Sequence, residues 1–185
     1  MRPAVFLDRD GVLNLAEVRD GKPYAPRHRS GFHLDPEALP ALTRLNAAGY
    51  VLIVVTNQPD IGNRLVDPAE VAAMNAQLAA ALPVAEVIVC PHAQTDGCAC
   101  RKPRPGMLLD AARRHDIDLA VSVMVGDRAG DVAAGQAAGC RAIWIDRGYA
   151  EPASPNPDLI VASLSAAVEA ILANSRNNAL GDDIR

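Results

Sequence analysis

Two aspartates, Asp8 and Asp10, stand one residue apart directly after the apolar run Ala4–Leu7, and Gly11 follows them. A short apolar run closed by a turn signal fits a buried strand, so its end carries two carboxylates to one small region. Two other stretches finish in the same way. Thr56 and Asn57 follow the apolar run Tyr50–Val55, and Asp127 follows Val121–Val125 and Gly126. Asp131 either adds a further carboxylate to that region or caps the helix beginning there. Uncompensated, such a group of carboxylates repels itself and some members protonate. A hard dication relieves the repulsion, and an oxygen-only donor set suits Mg2+. A bound cation attracts phosphate, for which Thr56 offers a hydroxyl and Lys102 a positive charge. Carboxylate nucleophile, metal, hydroxyl and lysine together describe a phosphoryl-transfer site.

A second group has different chemistry. Cys90-Pro-His92 and Cys98-Ala-Cys100 place three thiols and an imidazole within eleven residues. In a reducing compartment this pattern reads as a metal site before a disulfide framework. Three thiolates and one imidazole make a closed tetrahedral Zn2+ set with no open position, so the zinc reads as structural. The segment between them, Gln94-Thr95-Asp96-Gly97, is too polar to form a core. The metal would fix the loop that carries Arg101 and Lys102. Cys140 stands apart and reads as a small core residue. His28, His33 and His115 have no evident partners and read as surface or capping residues.

Positioning these groups requires a scaffold. Strands are predicted at Ala4–Leu7, Tyr50–Val55, Glu86–Val89, Val121–Val125, Ala142–Ile145 and Leu159–Val161. Helices are predicted from Asp35-Pro36 to about Ala48, from Asp67-Pro68 to about Leu82, and over Pro105–His115, Asp131–Ala138 and Ser163–Ala173. The alternation implies parallel pairing and a three-layer α/β domain, whose ligands bind outside the carboxyl ends of the strands. Residues 1–173 form a single domain on this reading, a Pro-rich connection spans Glu151–Pro157, and 174–185 form a loose polar tail. Leu15–Leu34 reads as a long loop, in which Arg19, Lys22, Arg27, His28 and Arg29 supply charge either to solvent or to a second phosphate.

Half of the 185 residues are hydrophobic but only 3% are aromatic, so the core is built from Ala, Val, Leu and Ile. The net charge of −4 and the absence of a long basic stretch argue against a nucleic-acid surface. No segment has the length of a signal peptide or of a membrane span. The expectation is a soluble, cytoplasmic monomer.

Asp8–Asn14 (DRDGVLN), Val54–Gln58 (VVTNQ), Arg101–Met107 (RKPRPGM) and Val125–Asp131 (VGDRAGD) resemble, in order, the four motifs of haloacid-dehalogenase-like phosphatases. The resemblance implies a Rossmann-like fold with a central mainly parallel sheet, no large cap domain and a zinc-bound loop. It implies that Asp8 attacks phosphorus to give an aspartyl-phosphate, while Asp10 protonates the leaving oxygen and then activates water. It implies Mg2+ held by the Asp8 and Asp127 side chains and the Asp10 carbonyl, with Asp131 behind them. Thr56 and Lys102 would hold the phosphoryl oxygens, and Asn57, Arg101 and Arg128 are the further candidates for phosphate contact. The Cys/His loop resembles two branches, the D-glycero-D-manno-heptose 1,7-bisphosphate 7-phosphatases and the phosphatase domain of histidinol-phosphate phosphatases. RKPRPGM and the Pro59–Gly62 segment after VVTNQ favour the heptose branch, whereas the five residues between His92 and Cys98 resemble the histidinol branch. The implied substrate is a small phosphorylated sugar or alcohol. The competing class is a non-catalytic, zinc-stabilised binding module, which Mg2+-dependent release of phosphate would exclude.

Overall fold

Successive side chains of a strand face opposite ways, so a strand apolar at every position needs cover on both faces. The first strand, β1 (Ala4–Leu7), has that cover and is wholly buried. Val5 and Leu7 enter one core cluster, Ala4 and Phe6 the other. The computed structural model describes residues 1–151 and 156–182, with side chains as far as residue 174. After β1 come β2 (Glu17–Arg19), β3 (Lys22–Tyr24), α1 (Ala38–Ala47), β4 (Val51–Asn57), α2 (Pro59–Gly62), α3 (Pro68–Ala81) and β5 (Glu86–Cys90). The chain continues through α4 (Gly106–His115), β6 (Val123–Gly126), α5 (Ala129–Ala138), β7 (Arg141–Ile145), β8 (Leu159–Val161) and α6 (Leu164–Asp182).

Six strands form one parallel sheet in the order β5-β4-β1-β6-β7-β8. Val5 pairs with Leu52 on one side and Val123 on the other. Helices α1, α3 and α6 pack on the face of Val5 and Leu7, and α4 and α5 on the face of Ala4 and Phe6. In α1 the buried positions Ala38, Ala41, Leu42 and Leu45 have the spacing of one helical face. The chain runs outward from β1 through β4 to β5, then returns to place β6 on the other side of β1. The carboxyl end of β1 therefore lies at the switch point, where sheets of this kind form their ligand crevice.

Three expectations are corrected. Leu15–Leu34 is not a structureless loop, because β2 and β3 pair as an antiparallel hairpin. Asp20 and Gly21 occupy its turn with φ of 51° and 73°, the double left-handed geometry that Asp-Gly turns favour. Helix α1 starts at Ala38, because Asp35 caps it from outside, accepting the Glu37 N–H on its side chain and the Ala38 N–H on its carbonyl, both at 2.9 Å. Helix α6 runs on to Asp182, since 174–182 contain no proline and no glycine before Gly181. Residues 152–155 of the Pro-rich connection and 183–185 of the tail lie outside the described residues. No described helix is long and apolar enough to cross a membrane.

Candidate active site

Asp8, Thr56, Asn57, Cys90 and Asp127 all sit at or just past the carboxyl ends of β1, β4, β5 and β6, so the sheet brings them to one edge. Lys102 reaches the same place from the loop after β5. The residue is only 4% exposed, and its ammonium donates to Asp8 Oδ1, Asp131 Oδ1 and the Val55 carbonyl, each at 2.7 Å. Three partners use all three ammonium protons. Burial alone would lower its pKa, but Asp131 and Asp8 overcome burial and raise it. Asn57 fixes the backbone beneath this lysine, donating from Nδ2 to the Lys102 carbonyl at 3.0 Å and accepting the Lys102 N–H on Oδ1 at 3.1 Å. Asn57 lines the cavity, yet its amide is spent on positioning Lys102. Thr56 Oγ1 accepts from Gln58 Nε2 at 2.9 Å, which leaves its own proton available to a ligand.

Asp8, Asp127 and Asp131 each offer a carboxylate oxygen to one cluster whose atoms lie within 4.8 Å of one another. Asp131 has both oxygens engaged, Oδ1 by Lys102 and Oδ2 by the Arg128 N–H at 3.0 Å. It thus caps α5 and joins the site at once. Asp127 is 2% exposed, and neither of its oxygens has a hydrogen-bond partner, although the Tyr149 hydroxyl lies nearby. Burial, then Asp8 and Asp131, push Asp127 well above the usual carboxylate range. Burial and Asp131 raise Asp8 to about 7 against the pull of Lys102. Three buried carboxylates facing one ammonium leave an excess of negative charge, and an orphaned carboxylate points into it. This donor set fits Mg2+, with Asp8 and Asp127 the free ligands and Asp131 already committed to Lys102 and the helix end. Backbone geometry keeps the space open. Gly11 has φ of 88°, and a Cβ there would lie 1.8 Å from Asp127 Oδ2.

An unpartnered buried charge is destabilising, so its neutral isostere should relieve the fold. Asp127→Asn is expected to raise the melting temperature of the metal-free protein, by the equivalent of roughly 1–3 kcal/mol. Mg2+ should stabilise the wild type but not this variant. Calorimetry with and without the metal tests both statements, and a wild-type response to Mg2+ in Asp127→Asn would remove Asp127 from the metal site.

Asp10 lies beside Asp8 but faces another set of partners. Its carboxylate accepts from Arg9 Nε and Nη2 at 3.0–3.3 Å, from Asn14 Nδ2 at 3.0 Å and from Gln58 Nε2 at 2.7 Å. Arg9, Asn14 and Gln58 lie inside the quoted motifs but carry no role in the sequence analysis. A charged residue wedged between two aspartates at the end of an apolar strand is the signal that could have marked Arg9.

The four Cys/His side chains of the loop after β5 come together. Cys100 Sγ lies 3.2 Å from Cys90 Sγ, 3.5 Å from Cys98 Sγ and 3.3 Å from His92 Nδ1. Cys90 Sγ is 3.6 Å from both Cys98 Sγ and His92 Nδ1. Thiolates about 2.3 Å from a tetrahedral zinc stand roughly 3.7 Å apart, so these four atoms fit one ion. Burial and the neighbouring thiols push Cys100 up to about 12, an obstacle to ionisation that a metal removes. Cys90 ends β5, which ties this group to the sheet.

A cavity of about 540 Å³ opens over Asp8, Asp10 and Lys102. Thr56, Asn57, Arg101 and Arg128 line it as the sequence suggested. Arg101 has a buried guanidinium nitrogen without a partner, whereas Arg128 is held by Glu151, with Nε to Oε2 at 2.9 Å. The hairpin forms one wall. Of the basic residues there, only Lys22 and Arg27 line the cavity. Arg19, Arg27 and Arg29 pair with Glu17, Asp60 and Glu70. Lys22 has no such pairing among the described residues.

Comparison with known proteins gives a consistent picture. Residues 99–167 match the HAD-hydrolase-like family model. The chain is 35% identical over 178 residues to the D-glycero-beta-D-manno-heptose-1,7-bisphosphate 7-phosphatase of Bordetella bronchiseptica, covering 91% of this chain and 97% of the relative. It is 40% identical over 134 residues to the D-glycero-alpha-D-manno-heptose-1,7-bisphosphate 7-phosphatase of Mycobacterium bovis, covering 69% of this chain and 68% of that one. Among solved structures, D,D-heptose 1,7-bisphosphate phosphatase from B. bronchiseptica, complexed with magnesium and phosphate, superposes with a TM-score of 0.79 at 33% identity. That superposition covers 93% of this chain and 99% of the other.

Proposed function

The chain belongs to the D-glycero-D-manno-heptose-1,7-bisphosphate 7-phosphatase family of HAD-like hydrolases, phosphoric monoester phosphatases, and from that premise we propose that it removes the 7-phosphate of this heptose bisphosphate through Asp8. The observation that carries the proposal is the Lys102 ammonium, 2.7 Å from Asp8 Oδ1 at the floor of the cavity. Lys102 holds one oxygen of Asp8 and leaves the other to attack phosphorus. As the new O–P bond forms, the bond from phosphorus to the sugar oxygen breaks, and Asp10 gives that oxygen its proton. Asp10 then takes a proton from water, which attacks the aspartyl-phosphate, releases phosphate and restores Asp8. The Thr56 hydroxyl is free to donate to the phosphoryl oxygens, and the Lys102 ammonium, its protons held by Asp8, Asp131 and the Val55 carbonyl, adds positive charge beside them. Mg2+, which Asp8, Asp127 and the Asp10 carbonyl would hold, supplies positive charge to those oxygens when bound. Cys90, His92, Cys98 and Cys100 would hold Zn2+, which would brace the lysine loop without entering the chemistry. Lys22 and the unpartnered end of Arg101 offer charge to the second phosphate.

The test is phosphate release in Mg2+ from both anomers of the heptose bisphosphate, beside histidinol phosphate. Losing a charge-assisted contact of about 1.5–3 kcal/mol is worth roughly ten- to a hundred-fold. One anomer of the bisphosphate is therefore expected to exceed histidinol phosphate by at least tenfold in kcat/KM. Preference for histidinol phosphate would overturn the substrate assignment, and no Mg2+-dependent release from any small ester would favour the binding module.

A further inference from the structure

Among the described residues, Arg9 is the largest side chain with no exposure to solvent. A guanidinium cannot lose its proton to escape burial, so a chain that buries one must satisfy its donors. Each of its three nitrogens has a partner. Nε and Nη2 each lie 3.0–3.3 Å from both oxygens of the Asp10 carboxylate, Nη1 donates to Asn75 Oδ1 at 2.8 Å, and the guanidinium carbon stands 5.5 Å from the centre of the Phe32 ring. Asn75 lies in α3, on the opposite side of the domain from the loop that carries Lys102. The Asp10 side chain itself is 14% exposed and lines the cavity. The buried cation thus joins a packed helix to a carboxylate at the reaction site, and its hydrogen bonds go to Asp10 and Asn75.

We propose that Arg9, anchored by Asn75 and Phe32, is the positioning residue for Asp10. Its two donors hold the carboxylate in the place needed to exchange a proton with the sugar oxygen and with water. Each of them reaches both oxygens, whereas the amide donors of Asn14 and Gln58 hold one oxygen each. Removing one member of a buried ion pair leaves the other uncompensated, so the charge at residue 9 contributes to the fold as well as to what Asp10 does.

This inference rests on the acid–base role of Asp10, so Asp10→Asn is measured beside Arg9→Met on the full-length, zinc- and Mg2+-loaded protein. Two esters are used, the heptose bisphosphate and p-nitrophenyl phosphate, whose leaving group departs without a proton. For Arg9→Met the expected result is a lowered melting temperature with the fold retained, kcat for the bisphosphate lowered at least tenfold, and KM changed less than threefold. With p-nitrophenyl phosphate the variant should give a fast burst of about one equivalent of nitrophenol and then slow turnover, because Asp8 is still phosphorylated while water is no longer activated. Asp10→Asn should give the same burst. Its absence there removes Asp10 from the role and overturns the proposed mechanism, while a burst in Asp10→Asn but not in Arg9→Met overturns only the assignment of Arg9. Unchanged kcat in folded Arg9→Met also overturns it, as does a loss carried by KM. Asn75→Ala, which keeps both donors to Asp10 and frees their anchor, should lower kcat about threefold with KM unchanged. If Arg9→Met fails to fold, wild-type kcat in Asn75→Ala overturns the proposal.

Discussion

Asp8→Asn is expected to lower phosphatase turnover by roughly four orders of magnitude or more while leaving the fold intact, since the residue is the nucleophile itself. The amide has nearly the shape of the carboxylate but does not attack phosphorus. Structural collapse is not expected, because Lys102 keeps Asp131 and the Val55 carbonyl as partners. Burial already works against the Asp8 charge, so neutralising it removes an unfavourable contribution in the metal-free protein. The checks are steady-state phosphate release in saturating Mg2+ and a melting curve without it. Turnover above about one per cent of wild type, a residual less than two powers of ten below it, would defeat the covalent route.

Cys100→Ser is the second large effect, on stability and metal content. Cys100 Sγ lies within 3.5 Å of all three other candidate ligands, so it is central to the cluster. Structural zinc binding contributes about 10–16 kcal/mol in small zinc-finger peptides, and losing one of four ligands forfeits part of such a contribution. The variant is expected to purify with far less than one zinc per chain and to melt well below wild type. Its activity should fall as well. Arg101 and Lys102 directly follow Cys100, and a loosened loop would have to be ordered at each turnover. Added Mg2+ should not restore it, because the carboxylate site is separate. The measurement is metal content beside kinetics and melting temperature. Wild-type protein with little zinc, fully active after strong chelation and return of Mg2+, would contradict this reading.

The strand ends carrying Asp8, Thr56 and Asp127 were legible because hydrophobic runs and turn residues are local signals. The Cys/His cluster was legible because residue type and spacing are chemistry written along the chain. The hairpin was not, since β2 and β3 are three residues each and Pro23 interrupts the pattern. Its Asp20-Gly21 turn was the one signal available. The sequence by itself determined the order of the elements, the parallel sheet, and which residue types meet at its edge. Only the tertiary structure decided whom each of them touches. Asn57 holds the Lys102 backbone instead of facing a ligand, because β4 and the zinc loop are brought together 45 residues apart in sequence. Arg9 reaches Asn75 across 66 residues, and three arginines of the hairpin region meet acidic partners, Arg27 and Arg29 across long separations. Periodicity tells a side chain which face of its element it occupies. The partner on that face depends on which strand and which helix become neighbours, and that is fixed only when the whole core packs.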